Sequence, residues 1–147
     1  ALWLIEHLVE PERFLEACFD ILFPGGYLIA AVPNEWTDNQ ARANRVCAVK
    51  NYWIHKTHCN YFSAPGFINL VSREGFEIVE VLATYPMEEY IVSGEGDYTA
   101  NPGLGVGLHK RIEERELDMN IAERIDLYRG RGNKFSGRDL IVIARKP

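Results

Sequence analysis

Three of the four histidines in this 147-residue chain stand where a proton could be moved. His7 follows Glu6 directly, and His55 and His58 flank Lys56-Thr57 in a stretch that also holds Tyr52, Trp53 and Tyr61. An imidazole titrates near neutral pH, so each ring can orient an acceptor atom or take its proton. Pro33-Asn34-Glu35-Trp36 adds an amide that can hydrogen-bond a ligand and an indole that can wall a pocket. Each group also has a plainer role. His7 can cap a turn while Glu6 supports the next helix, His55 can bond loop backbone, and Trp36 can pack in the core. Cys47, His55, His58 and Cys59 suggest zinc, but their spacing lacks the form of a zinc knuckle and adjacent His-Cys ligation is awkward.

Whether these groups meet depends on the elements that carry them. Ala1 to Ile5 reads as the end of a strand. Pro11 suits the first turn of a helix, and Phe14, Leu15, Cys18, Ile21 and Leu22 recur at helical spacing until Pro24-Gly25-Gly26 turns the chain. Tyr27 to Val32 is a buried strand. An apolar run, an amphipathic helix and a second apolar run suggest one βαβ unit of a parallel sheet. Ligands of such sheets sit beyond the carboxyl ends of the strands, and Glu6-His7 and Pro33-Asn34 both fall at that edge.

Downstream, Thr37 to Lys50 reads as a helix over the site and Asn51 to Phe62 as an aromatic, His-rich loop. Ser63 caps a helix with Pro65 in its first turn, Phe67, Leu70 and Val71 form its buried face, and Gly75 stops it. Phe76 to Ala83 alternates like a strand near the sheet edge. Met87 to Pro102 reads as a loop, Gly105 to Tyr128 as a helical stretch, Arg129 to Gly137 as a basic connector, and Leu140 to Ala144 as a last short strand. The G-x-G-x-G string of Gly103, Gly105 and Gly107 has no strand leading into it, so it reads as a loop entering a helix, not a cofactor cradle.

Composition bounds the function. The length suits one domain with a real core, and the apolar fraction of 47% is that of a globular protein. A net charge of −5 argues against a broad nucleic-acid surface. No apolar run approaches a membrane span. Cys18, Cys47 and Cys59 fit a reducing, cytoplasmic setting better than a disulfide framework.

The pattern EHL, then P, FL, A, L, PGG, L and PN at these spacings resembles the second half of a class I S-adenosylmethionine-dependent methyltransferase. The likeness continues in His58-Cys59-Asn60-Tyr61-Phe62-Ser63 and in Leu70 to Val81. It covers Ala1 to about Tyr85 and again Asp139 to Lys146. It implies an α/β, Rossmann-like methyltransferase sheet whose terminal strand runs antiparallel and inserts beside its predecessor. Residues 1–147 would be the C-terminal portion of one such domain. The family's glycine-rich cofactor loop and ribose-binding acid would lie upstream, so the segment alone is expected to be inactive. Residues 86–138 would form an insertion between the last two strands, and loops this long commonly serve as lids or oligomer contacts.

The resemblance also implies site roles. The cofactor is S-adenosyl-L-methionine, with Ala1, Leu2 and Trp3 near its adenine or methionine part. His7 and His58 are the catalytic candidates, while Glu6, Asn34, Trp36, His55 and Tyr61 shape the acceptor pocket. Some relatives hold a divalent metal with E-x-x-E-H and a later His. Here Trp3 stands in place of the first Glu, so no metal is assigned. The basic cluster of Arg129, Arg131, Lys134 and Arg138 can bind a phosphate or simply be solvated. The expected activity is methyl transfer to a small-molecule acceptor, oxygen favoured over nitrogen, with a sugar or glycan precursor among the candidates. The expected partners are that substrate and a second copy through 86–138, with no nucleic acid and no membrane. The alternatives are a non-catalytic Rossmann-like assembly module and a nucleotide-sugar-modifying enzyme.

Overall fold

The computed structural model describes residues 1–147. Helix α1 spans Pro11–Ile21, with proline at its first position, where a missing N–H costs nothing. Gly25, at φ +80°, makes the left-handed turn that sends the chain into strand β1, Tyr27–Pro33. Helix α2 (Asp38–Val46) starts where the Thr37 side chain accepts from Gln40 N–H. Helix α3 (Ala64–Arg73) starts at a Ser63 cap with Pro65 in its first turn, and Gly75, at φ +92°, follows its end. Strand β2 is Glu77–Ala83 and the final strand β3 is Asp139–Arg145. Between them lie α4 (Glu88–Val92), α5 (Pro102–Leu117) and α6 (Ile121–Asn133).

The sheet order is β1-β3-β2, with β3 antiparallel to both neighbours, so β1 and β2 run parallel. The terminal antiparallel strand is thus present, and it sits between the two parallel ones. Its pairing aligns Leu28 with Ala144, Ala30 with Val142 and Val32 with Leu140. All six lie in one buried cluster with Ile5, Leu15, Phe67, Val71 and Phe76, so α1 and α3 cover that face. The alternating burial of β3 is the period-2 signature of a strand with one packed face.

Several expected boundaries move. The strand foreseen over Ala1 to Ile5 shrinks to one parallel bridge, Leu2 with Ala31. Trp3 then takes φ +50° and the chain enters a 3₁₀ turn, Ile5–His7. Glu6 and His7 therefore sit on a turn beside the sheet edge. The helical stretch foreseen over Gly105 to Tyr128 is two helices, because Asn120 and Glu123 form a reciprocal capping box that starts α6. Gly103, Gly105 and Gly107 lie inside α5, started by the Asn101 side chain. The connector foreseen from Arg129 is helical through Asn133, and the loop foreseen from Met87 contains α4.

Helix α6 lies directly on the backbone of β2. A Cβ at Gly132 would overlap the Val81 carbonyl, whereas one at Gly130 would meet nothing. The pair makes an internally controlled prediction. Gly132→Ala should destabilise the protein by about 1–3 kcal/mol through overpacking. Gly130→Ala should be neutral or stabilise by up to about 1 kcal/mol, because alanine suits a helix better. Urea unfolding of the two variants checks this, and equal effects would refute the close approach.

Candidate functional site

The site is built by docking the loop after α2 onto the turn that carries Glu6. The Glu6 carbonyl accepts from the Cys59 N–H at 2.8 Å and the Asn60 N–H at 3.0 Å. Asn60 Nδ2 donates to the Leu8 carbonyl at 2.6 Å. These bonds bring His58 against His7, with ring centroids 4.8 Å apart, edge to face. His55 and Tyr61 complete the group at 5.0 and 5.9 Å from the His58 ring.

His7 Nδ1 lies 2.9 Å from the Thr57 carbonyl. A carbonyl only accepts, so Nδ1 carries the proton and the neutral ring keeps its lone pair on Nε2, 3.8 Å from Glu6 Oε1. The Glu6 side chain is buried, at 1% exposure, and its Oε2 has no partner. Both Glu6 and His7 therefore face His58.

Glu35 is the residue that the sequence did not single out. It is 2% exposed and clamped to the loop in both directions. Its N–H donates to the Phe62 carbonyl at 2.7 Å, and its Oε2 accepts from the Phe62 N–H at 3.0 Å. Its Oε1 stands 3.4 Å from His58 Nδ1. That spacing is electrostatic contact, since His58 Nδ1 has no hydrogen-bond partner. The available signal was a carboxylate at the carboxyl end of a buried strand, where ligands of α/β sheets gather.

Burial governs the titration of this pair. Desolvation pushes the Glu35 carboxyl up to about 8, opposed by the Phe62 N–H and reinforced by Glu6. Desolvation also lowers His58, helped by the neighbouring His7 and His55 rings.

The other expected site residues divide. Trp36 is 64% exposed beside the cluster, with its indole N–H 3.4 Å from the Tyr61 carbonyl. The Tyr61 hydroxyl donates to the His55 carbonyl at 2.9 Å, and His55 Nδ1 meets Thr57 Oγ1 at 2.8 Å. Asn34, expected to hold the acceptor, is buried, and its amide donates to the Phe135 and Gly137 carbonyls at 3.1 and 2.9 Å. Its donors are thus committed to anchoring the chain before β3, which leaves only its amide oxygen for a ligand. Ala1 and Trp3 exchange backbone bonds with Ala31, and the Leu2 and Trp3 side chains are exposed beside the end of β1. Of the basic cluster, Arg129 pairs with Glu80 and Asp126, and Arg131 with Glu116.

Glu6, His7 and His58 are also the residues that could hold a cation, since one ligand atom from each lies within 4.8 Å of the others. The donor set suits a borderline metal, and Glu6 and His58 each carry a buried atom without a partner, Oε2 and Nδ1.

The raised Glu35 carboxyl links stability to pH. The folded chain keeps a proton there that the unfolded chain loses above its ordinary value near 4.5. That contribution is whole below 4.5 and is lost as pH rises toward about 8. His58 acts in the opposite sense, because its folded form gives up its proton first. Glu35→Gln should therefore melt above the parent by a margin that widens from about pH 5 to about pH 8. Thermal unfolding of the chelator-treated full-length protein measures it, and a constant margin would refute the buried carboxyl's role.

Comparison with known proteins places this geometry. A family model described as a methyltransferase domain matches residues 2–81. A probable S-adenosylmethionine-dependent methyltransferase of Mycolicibacterium smegmatis is 27% identical over 82 residues, which are 56% of this chain and 29% of that protein. Among solved structures, a chain of the complex between the Haloferax volcanii Trm112 methyltransferase activator and a methyltransferase matches with a TM-score of 0.51 and 15% identity. It is matched over 99% of this chain and 51% of its own. The [4+2]-cyclase SpnF matches at 0.51 and 17%, over all of this chain and 48% of its own. The chain thus spans less than a third of the curated relative and about half of these structures. The two structural likenesses speak for the fold alone; with the family model covering more than half of the chain, this protein belongs to the methyltransferase domain family, the class I S-adenosylmethionine-dependent methyltransferases.

Proposed function

We propose that the full-length protein transfers a methyl group from S-adenosylmethionine to an oxygen of a small-molecule acceptor, and that residues 1–147 supply the acceptor side of that reaction. The cofactor brings an electrophilic methyl group on a sulfonium and leaves as S-adenosylhomocysteine. The exposed Leu2 and Trp3 side chains suit its adenine or thioether part.

The observation that carries the reading is the buried Glu35–His58 contact beside His7 and Glu6. The acceptor hydroxyl must lose a proton as its oxygen gains the methyl group. His58 takes that proton, and the buried Glu35 carboxyl faces the imidazolium that results, stabilising it fully only where Glu35 is itself ionised, toward about pH 8 and above. His7 is held by Thr57 and orients the acceptor. His55 and Tyr61 shape the pocket wall around His58.

A second reading is favoured by the two partnerless atoms, Glu6 Oε2 and His58 Nδ1. A divalent cation would be held by Glu6, His7 and His58, one ligand atom from each lying within 4.8 Å of the others, and would polarise the acceptor oxygen. The His7 Nδ1–Thr57 bond has the form of the outer contact that orients a ligating histidine.

Calorimetric titration of S-adenosylmethionine and S-adenosylhomocysteine into the full-length protein tests the reading first. Both should bind, and His58→Ala should lower kcat by about a hundredfold or more while leaving cofactor affinity unchanged. Unchanged turnover would remove His58 from the chemistry. No cofactor binding to a folded protein would favour a non-catalytic module. For the cation, adding zinc to chelator-treated protein should raise the melting temperature of the parent and not that of Glu6→Gln. Equal responses would leave proton transfer alone.

A further inference from the structure

Trp36 combines two costs that its own packing does not offset. It holds φ +67°, a left-handed conformation costly for a bulky side chain, and 64% of it is exposed. Its position is nonetheless fixed. The backbone N–H donates to Gln40 Oε1 at 2.7 Å, the indole N–H reaches the Tyr61 carbonyl, and Gln40 itself is buried. The turn sends Glu35 inward and Trp36 outward, so the indole stands one residue from the His58 contact.

Trp36 forms one wall of an open groove of about 430 Å³. Trp53 lines it too, with ring centroids 6.5 Å apart at 76°. Asp38, Asn44, Arg45 and Asn51 line the same groove. Asn44 and Asn51 bond one another, at 2.7 Å from the Asn51 N–H to Asn44 Oδ1. The carboxylate of Asp38 and the guanidinium of Arg45 have no ion-pair partner. The groove therefore offers aromatic surface for an apolar face, beside groups of both signs that can donate and accept.

We infer that this groove is the acceptor subsite and that it takes a pyranose sugar, the exposed Trp36 indole stacking on the ring's C–H face, the Trp53 ring nearly at right angles to it closing one side, while Asp38 and Arg45 bind its hydroxyls. This rests on the methyl-transfer reading above and gives its acceptor a chemical class. A sugar is the ligand that uses both halves of the lining. It carries several neutral hydroxyls for the mixed-sign polar groups and an apolar ring face for the Trp36 indole, with no net charge to bias Asp38 against Arg45. A site built to bond hydroxyls also discriminates strongly against analogues lacking them.

The test is saturation-transfer NMR on the full-length protein with the methyl pyranosides of glucose, galactose, mannose and rhamnose, alongside cofactor titration. At least one pyranoside should bind through its ring protons, and Trp53→Ala and Arg45→Ala should each weaken it by about tenfold or more. Trp36→Gly is the sharper variant. It should abolish sugar binding while the melting temperature holds or rises, because glycine relieves the positive φ. A folded, cofactor-binding protein that takes none of the four sugars would overturn the inference and leave methyl transfer standing. Sugar binding without cofactor binding would uphold the groove and overturn methyl transfer. Sugar binding that survives Trp36→Gly would place it elsewhere on the protein.

Discussion

The site depends on one carbonyl. Glu6 O accepts two backbone N–H groups, from Cys59 and Asn60, more than fifty residues downstream. Those bonds set the approach of the His58 loop, and the reciprocal Glu35–Phe62 pair locks its other end. Backbone bonds of this kind are independent of side-chain identity at the loop positions. The loop can therefore vary its aromatic and polar side chains without losing its seat, which is how a rigid sheet edge comes to carry variable chemistry.

The docking has an electrostatic consequence. It removes two carboxylates, Glu6 and Glu35, from water and brings two imidazoles against them. A cluster that existed only for stability would be better served by apolar side chains of similar volume, because desolvated charge is seldom repaid in full. Here the compensation is visibly incomplete, with Glu6 Oε2 and His58 Nδ1 left without bonds. Polar atoms buried and unmatched in a folded chain mark places where something other than stability has shaped the sequence.

Helices α1 and α3 and strand β1 were legible because their signals are local. Proline at the start of α1, Ser63 before α3, Gly25 and Gly75 at turns, and the apolar run of β1 each act within a few residues. His7 and His58 were found from residue type and family resemblance, and the fold brings them together. Two features rest on long-range information that no local signal carries. Asn34 sits at the ligand edge, but its amide is claimed by carbonyls a hundred residues away. Glu35 gains its significance only from Phe62 and His58 across the loop. The break between α5 and α6 rests on Asn120 bonding Glu123, and the charged face running past it masks the capping box.

Asn34 also ties this sheet edge to the segment between β2 and β3. Its two amide bonds hold the carbonyls of Phe135 and Gly137, and Phe135 sits at φ +51° to present one of them. A Cβ at Gly137 would collide with Ala83 and Thr84, so the chain there is pressed onto the carboxyl end of β2, just beyond Val81 and Leu82 where α6 is pressed. The end of this helical segment is thus fastened to the carboxyl edge of both parallel strands, the edge where Glu35 and Trp36 stand. A displacement of α6 along β2 would pull on Asn34, the residue immediately before Glu35. The segment is mechanically part of the site's frame, and a substitution far from His58 in sequence, at Gly132 or Gly137, acts on the same edge that carries Glu35 and its contact with His58.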